Sequence, residues 1–164
     1  MAVRAWTVAS GLLEVGGELL LVANRRRDGR IDWTPPGGVV DEGEDVLAGL
    51  TREVAEETGL HVTGWQGPVY RVEAEHPDAG WTMRVEVHQA TGWTGDLTVG
   101  ADPDGIVVDA RFVPLDECRS VLAETWQLIT EPVGAWLSER FLDDRVYRYT
   151  VGGSDRSTLT VTRR

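Results

Sequence analysis

Residues 33–60, WTPPGGVVDEGEDVLAGLTREVAEETGL, hold more committed chemistry than any other stretch of the chain. Pro35-Pro36-Gly37-Gly38 cannot lie inside a helix, because the prolines fix φ and remove donors while the glycines accept backbone shapes closed to other residues. A stiff, tight turn is expected there, with carbonyls able to approach a ligand. Val39 to Gly43 make a short connection with Asp41 and Glu42 near its tip. From Asp45 the pattern becomes helical. Asp45 suits the N-cap, Leu47, Leu50 and Val54 recur at helical spacing, and Gly59 stands where a left-handed C-terminal residue is expected. At about 100° per residue, with Glu53 at zero, Glu57 falls at about +40° and Glu56 at about −60°. Leu47, Leu50 and Val54 fall at about 60° to 120°, so the acids stand at the rim of the core.

Carboxylates gathered this closely repel one another unless something positive sits among them. A divalent cation answers that need, and all-oxygen ligation favours Mg2+, with Mn2+ as the other candidate, over zinc. For the helix alone, a solvated acidic face with Arg52 as surface decoration is the competing reading. The rigid turn and the packed neighbouring stripe favour a site.

The spacing adds a family resemblance. Gly38, five residues, Glu44, seven residues, then Arg52-Glu53-Val54-Ala55-Glu56-Glu57-Thr58-Gly59-Leu60 resembles the Nudix hydrolase signature at every constrained position. Trp33, Gly37, the opening apolar segments and ARFVPLDE at 110–117 are also similar, so the resemblance covers roughly residues 5–142. It implies an α/β fold, a Nudix-like α/β/α sandwich with a mixed central β-sheet. It also implies Mg2+-dependent hydrolysis of a pyrophosphate bond in a nucleoside diphosphate linked to another group. Nucleoside triphosphates, ADP-ribose-like molecules and dinucleoside polyphosphates all fit that description. By position, Glu53, Glu56 and Glu57 resemble the metal ligands, with a carbonyl of Gly37 or Gly38 assisting. Glu53 or Glu57 is the candidate base. Arg52 resembles the arginine that pairs with the acids and holds the helix to the loop through Glu44. The family often recruits a further acid from a distant loop, for which Asp104 is the first choice here, Asp102 the second and Asp109 the third.

Outward from this stretch, residues 5–15 and 18–24 are apolar-rich and flank Gly16-Gly17, which predicts an opening β-hairpin. Arg25, Arg26, Arg27, Asp28, Gly29 and Arg30 form a basic turn just upstream of the acidic site. Arg25 and Arg27, with Arg84 and Glu44, form the candidate substrate-binding set; a solvated loop is the plainer alternative for the arginines. Residues 61–75 and 81–91 are expected strands around a turn at 76–80, and Met83, Val85 and Val87 alternate with Arg84, Glu86 and His88. A long loop at 92–105 precedes a strand at 106–113, a short helix after Pro114, and a helix over about 125–142 in which Thr130 and Pro132 suit a start better than an interior. Trp33, Trp65, Trp81 and Trp93 are candidate base-stacking residues, although packing is their commoner role.

The expected organisation is one catalytic domain over 1–143 and a C-terminal β-hairpin extension over 144–164. That hairpin could serve as an added edge or an oligomer contact, so a homodimer is one expectation. The net charge of −11 repels nucleic acid polymers and anionic membranes, which leaves a small nucleotide as the expected partner. Cys118 is the single cysteine, so neither an intrachain disulfide nor a multi-cysteine zinc cluster can form. No run approaches membrane-spanning length, and a cytoplasmic location is expected. The alternative to a hydrolase is a catalytically silent nucleotide-sensing module on the same fold.

Overall fold

The structure is a computed structural model that describes residues 2–155 and 158–164. The chain order is β1 (Arg4–Leu12), β2 (Glu14–Val15), β3 (Glu18–Arg25), β4 (Ile31–Thr34), β5 (Gly37–Val39), α1 (Val46–Thr58), β6 (His61–His76) and β7 (Trp81–Thr94). It continues through β8 (Val107–Pro114), α2 (Cys118–Val121), α3 (Gln127–Glu139), β9 (Arg145–Gly152) and β10 (Thr160–Arg163). A six-stranded sheet runs β10-β9-β6-β7-β1-β5. It is mixed: β1 lies parallel to β7 and β6 parallel to β9, whereas the other pairs are antiparallel. In a second, smaller sheet, β3 carries β8 as well as β4 and the two-residue β2.

The centre of this arrangement is β3. Its Leu19 to Asn24 run is continuously buried because both faces of the strand are covered. Leu19 and Leu21 enter one core with Tyr70, Val113 and the α3 residue Trp136, while Leu20 and Val22 enter the other with the α1 residues Leu50 and Val54. The two helices therefore close the two cores, and α1 lies against β1, β5 and β6. Among the described residues, no helix is long and apolar enough to cross a membrane.

Several local expectations shift. The Gly16-Gly17 turn forms, but the ladder across it is limited to Glu14 and Val15, opposite Leu19 and Glu18, with a further bond from Leu20 N–H to Leu13 O at 2.9 Å. Residues 4–12 instead run beside β7 in the large sheet, because a turn specifies only its nearest pairs and the remaining register follows burial. Gly37 to Val39 form an edge strand on β1 rather than a free turn, and β4 is a short strand that the flanking polar and proline residues conceal. β7 continues to Thr94, which shortens the following loop. Pro132 lies inside α3, on the face that also buries Leu128, Val133 and Trp136. That packing offsets the hydrogen bond lost at proline. The terminal hairpin forms, with Thr160 opposite Gly152, and β9 docks in parallel on β6, placing Tyr147, Tyr149 and Val151 in the core.

Candidate active site

The acids are delivered by α1. Asp45 caps the helix by accepting from the Ala48 N–H at 3.1 Å, and Gly59 ends it in the left-handed conformation. Leu50 and Val54 are fully buried, so the helix cannot rotate without emptying its core. This anchoring sends Glu53 and Glu57 toward β5. Glu57 is 5% exposed and its Oε1 accepts the Gly37 N–H at 2.8 Å. The Glu53 carboxyl lies directly over Gly38: a Cβ on that glycine would stand 2.7 Å from it. Absence of a side chain at Gly38 is thus a condition for the site.

Arg52 organises the exposed rim. Its Nε and Nη2 donate to the two carboxylate oxygens of Glu44 at 3.0 and 3.1 Å, and its Nη1 donates to Glu53 at 3.1 Å and Glu56 at 3.3 Å. Glu44 also accepts from the Asp41 N–H at 3.1 Å, so the guanidinium ties the 41–44 connection to the helix. Gly49 permits this, since a Cβ there would meet Glu44 Oε1 at 2.8 Å. The Arg52 hydrogen bonds hold the Glu44 carboxyl below its ordinary range, and Glu44 in turn raises the arginine.

The deeper acids behave oppositely. Burial pushes Glu57 up to about 8, and Glu53, Asp102 and Glu56 add to that against the Gly37 hydrogen bond. Burial also raises Glu53, with Arg52 opposing and Glu56 and Asp102 reinforcing the shift. Asp102 of the distant loop adds to the upward shift of both glutamates. Its carboxylate accepts from the N–H groups of Asp104, Ile106 and Val107 at 3.2, 3.0 and 3.0 Å, and the loop is pinned to the helix end by Thr98 N–H donating to Thr58 O at 2.8 Å. Asp104, the first choice from sequence, is exposed on the same turn, and Asp109 is exposed on β8. Among the described residues, no three acids, histidines or cysteines form a ready-made metal cage. Glu53 and Glu56 share Arg52, and Glu57 is tied to Gly37.

A cleft of about 320 Å3 opens beside Gly37 and Gly38, between Met83 and Val85 of β7 and Trp126 and Ile129 of the α3 region. Arg26 and Arg30 line it, whereas Arg25 and Arg27 are exposed and outside its lining. Strand alternation accounts for part of this, because Asn24 and Arg26 share a side opposite to that of Arg25. Arg84 is exposed on β7, opposite Glu73. None of the four tryptophans singled out from sequence lines the cleft. Trp33 lies under the Arg111 guanidinium, Trp65 donates to Thr51, Trp81 packs on Trp6 and Trp93 stacks on Phe112. The tryptophan at the cleft is Trp126, which no local pattern distinguishes from a core residue.

The family model for the NUDIX domain matches residues 3–137. The chain belongs to the NUDIX domain family. The NUDIX fold is shared with the ORF135 protein of E. coli, with a TM-score of 0.68, 20% identity, and coverage of 84% of this chain and 94% of that one. The MutT protein of Bacillus halodurans superposes with a TM-score of 0.64 at 20% identity, covering 96% and 97% of the two chains. A NUDIX relative, the Homo sapiens 8-oxo-dGDP phosphatase NUDT18, is 29% identical over 109 residues, 66% of this chain and 32% of its own. The chain thus spans about a third of the length of that curated relative.

Proposed function

We propose that this NUDIX protein hydrolyses a pyrophosphate bond in a small nucleotide, with Mg2+ or Mn2+ held by Glu53, Glu56 and Glu57 and a carbonyl of Gly37 or Gly38. The observation that carries this reading is Glu57: a buried carboxyl, pushed up to about 8, bonded to the Gly37 N–H and surrounded by further acids. An acid so placed lacks a compensating positive charge, since Arg52 is committed to Glu44, Glu53 and Glu56. An all-oxygen donor set of this kind suits Mg2+. A divalent ion bound there supplies neutralisation of phosphoryl charge and a water of lowered pKa. Arg52 keeps the acids and the 41–44 connection in register, Gly38 leaves room for the Glu53 carboxyl, and whichever of Glu53 and Glu57 the ion leaves unligated accepts the proton of the attacking water. The substrate reaches this point through the adjoining cleft, and the named activity of the human relative supports a nucleoside diphosphate or a related nucleotide.

The test is incubation with Mg2+ and a panel of nucleoside di- and triphosphates, ADP-ribose and dinucleoside polyphosphates, with product identification. Turnover by the wild-type protein, lost in Glu57→Gln with an unchanged circular dichroism spectrum, is expected. Binding without turnover across the panel would make the chain a nucleotide sensor.

A further inference from the structure

Residues 95–106, between β7 and β8, form a loop in which Asp102 is the one residue that is not exposed. Leu97, Val99 and Ile106 stand out to solvent, so apolar burial contributes little to the order of the segment. Backbone contacts tie it down instead. At one end Ile106 O accepts from Arg25 N–H at 2.8 Å, which fixes the entry to β8. Toward the other end, Thr98 N–H donates to Thr58 O at 2.8 Å, the loop's single hydrogen bond to α1 among the described residues. This dock is a fit between two glycines. Gly59 ends α1 at φ 75° and Gly95 leaves β7 at φ 95°. A Cβ on Gly59 would fall on Thr98 Oγ1 and stand 3.0 Å from Asp96 O, and a Cβ on Gly95 would stand 2.9 Å from Gly59 O. Each segment thus fills the space that a side chain on the other would need. Ending a helix asks only for a left-handed residue at Gly59. The close approach of residues 95–98 is a separate constraint that the cap does not require.

We propose that Gly95 and Thr98 are positioning residues of the hydrolytic site: by seating the loop on the Thr58–Gly59 end of α1, they set the distance from Asp102 to Glu53 and Glu57. The proposal rests on the metal-hydrolase reading above. Thr58 follows Glu57 directly, and Asp102 comes four residues after Thr98, so the dock joins the two acidic segments close to both. The Asp102 charge raises Glu53 and Glu57 further beyond the effect of burial, which makes their separation from it matter. The N–H groups of Asp104, Ile106 and Val107 orient the Asp102 carboxylate within the loop, and the dock orients the loop on the helix. Acids that serve one cation must be held to within about 0.5 Å, which an exposed loop tied only at Ile106 does not achieve.

The test is a double-mutant cycle. Gly95→Ala pushes the loop off Gly59 and Thr98→Pro removes the donor to Thr58, and each is made alone and together with Asp102→Asn, with folding checked by circular dichroism. Each single variant is expected to lower kcat/KM with Mg2+ by about 10-fold, the scale set by ångström misplacement of a reacting group. In the Asp102→Asn background the same changes are expected to cost less than about twofold, because residues that act through one group are not additive. Hydrogen exchange over 95–106 should quicken in both variants. Equal losses in the two backgrounds, or no loss in either, overturn the proposal and leave the hydrolase reading standing. If the wild-type protein turns over no nucleotide, the hydrolase reading falls and the same cycle is read as Mn2+ affinity by electron paramagnetic resonance. Non-additive losses of affinity then uphold the dock, and additive or absent losses overturn it. Failure of the wild-type protein to bind Mn2+ overturns both.

Discussion

Gly37 donates its backbone N–H to Glu57 Oε1 at 2.8 Å, so the first residue of β5 and the last acid of α1 form one hydrogen-bonded unit. Because β5 is itself paired to β1, with Gly37 opposite Ser10, the acid is referenced to the large sheet as well as to its own helix. The arrangement positions a carboxyl in a place where its charge is unfavourable without a partner.

That placement predicts the pH dependence of metal-free stability. The Glu57 carboxyl rises from 4.5 to about 8 on folding, so between those values the folded state holds a proton that the unfolded state has released. Its contribution to stability is complete below the unfolded value and is lost as pH rises toward 8. In EDTA, Tm of the wild-type protein should fall between pH 5.5 and 8 by several degrees more than that of Glu57→Gln, and Mg2+ should restore it at pH 8. Parallel Tm profiles for the two proteins would remove the argument.

Arg52→Lys keeps the charge and loses the fork. A lysine cannot span both oxygens of Glu44 while reaching Glu53 and Glu56, all of which Arg52 does. Activity should fall about 10- to 100-fold, the range typical of groups that orient metal ligands. Amide protection should drop in residues 41–44, read by hydrogen exchange. Because Arg52 is partly exposed, the change in Tm should be small. Wild-type activity with unaltered exchange would show that positive charge alone suffices.

Gly38→Ala tests the close approach of strand and acid. The added Cβ would lie 2.7 Å from the Glu53 carboxyl, which must then move off the strand. Mn2+ affinity, followed by electron paramagnetic resonance, should weaken by about 10-fold or more. Unchanged affinity would place the ion away from Glu53.

Asp102 and Asp104 of the 95–106 loop are separable. Asp102 acts electrostatically on Glu53 and Glu57 and accepts three loop N–H groups, whereas Asp104 is exposed. Asp102→Asn should lower kcat/KM by about 10-fold or more, and Asp104→Asn by less than about twofold. The opposite ranking would give the role to Asp104.

Sequence by itself determined the local geometry of one stretch. The order Gly38, Glu44, Arg52, Glu53, Glu56, Glu57 lies within a single turn-and-helix unit, where 3.6-residue periodicity converts spacing directly into direction. The capped helix over 46–58 and its buried Leu50 and Val54 were legible for that reason, whereas the Arg52–Glu44 tie was an implication of the family resemblance, since Glu44 lies ahead of the helix. What only tertiary structure decided involves residues far apart in the chain. Spacing alone says nothing of β1 leaving its hairpin partner for β7, of β9 docking on β6, or of the Asp102 charge bearing on the glutamates. Nor does it distinguish Trp126 from other buried tryptophans, or Arg26 and Arg30 from Arg25 and Arg27 within one basic run. These outcomes depend on which nonlocal surfaces bury one another, and a strand gains its partner and its inward face only when the whole core closes.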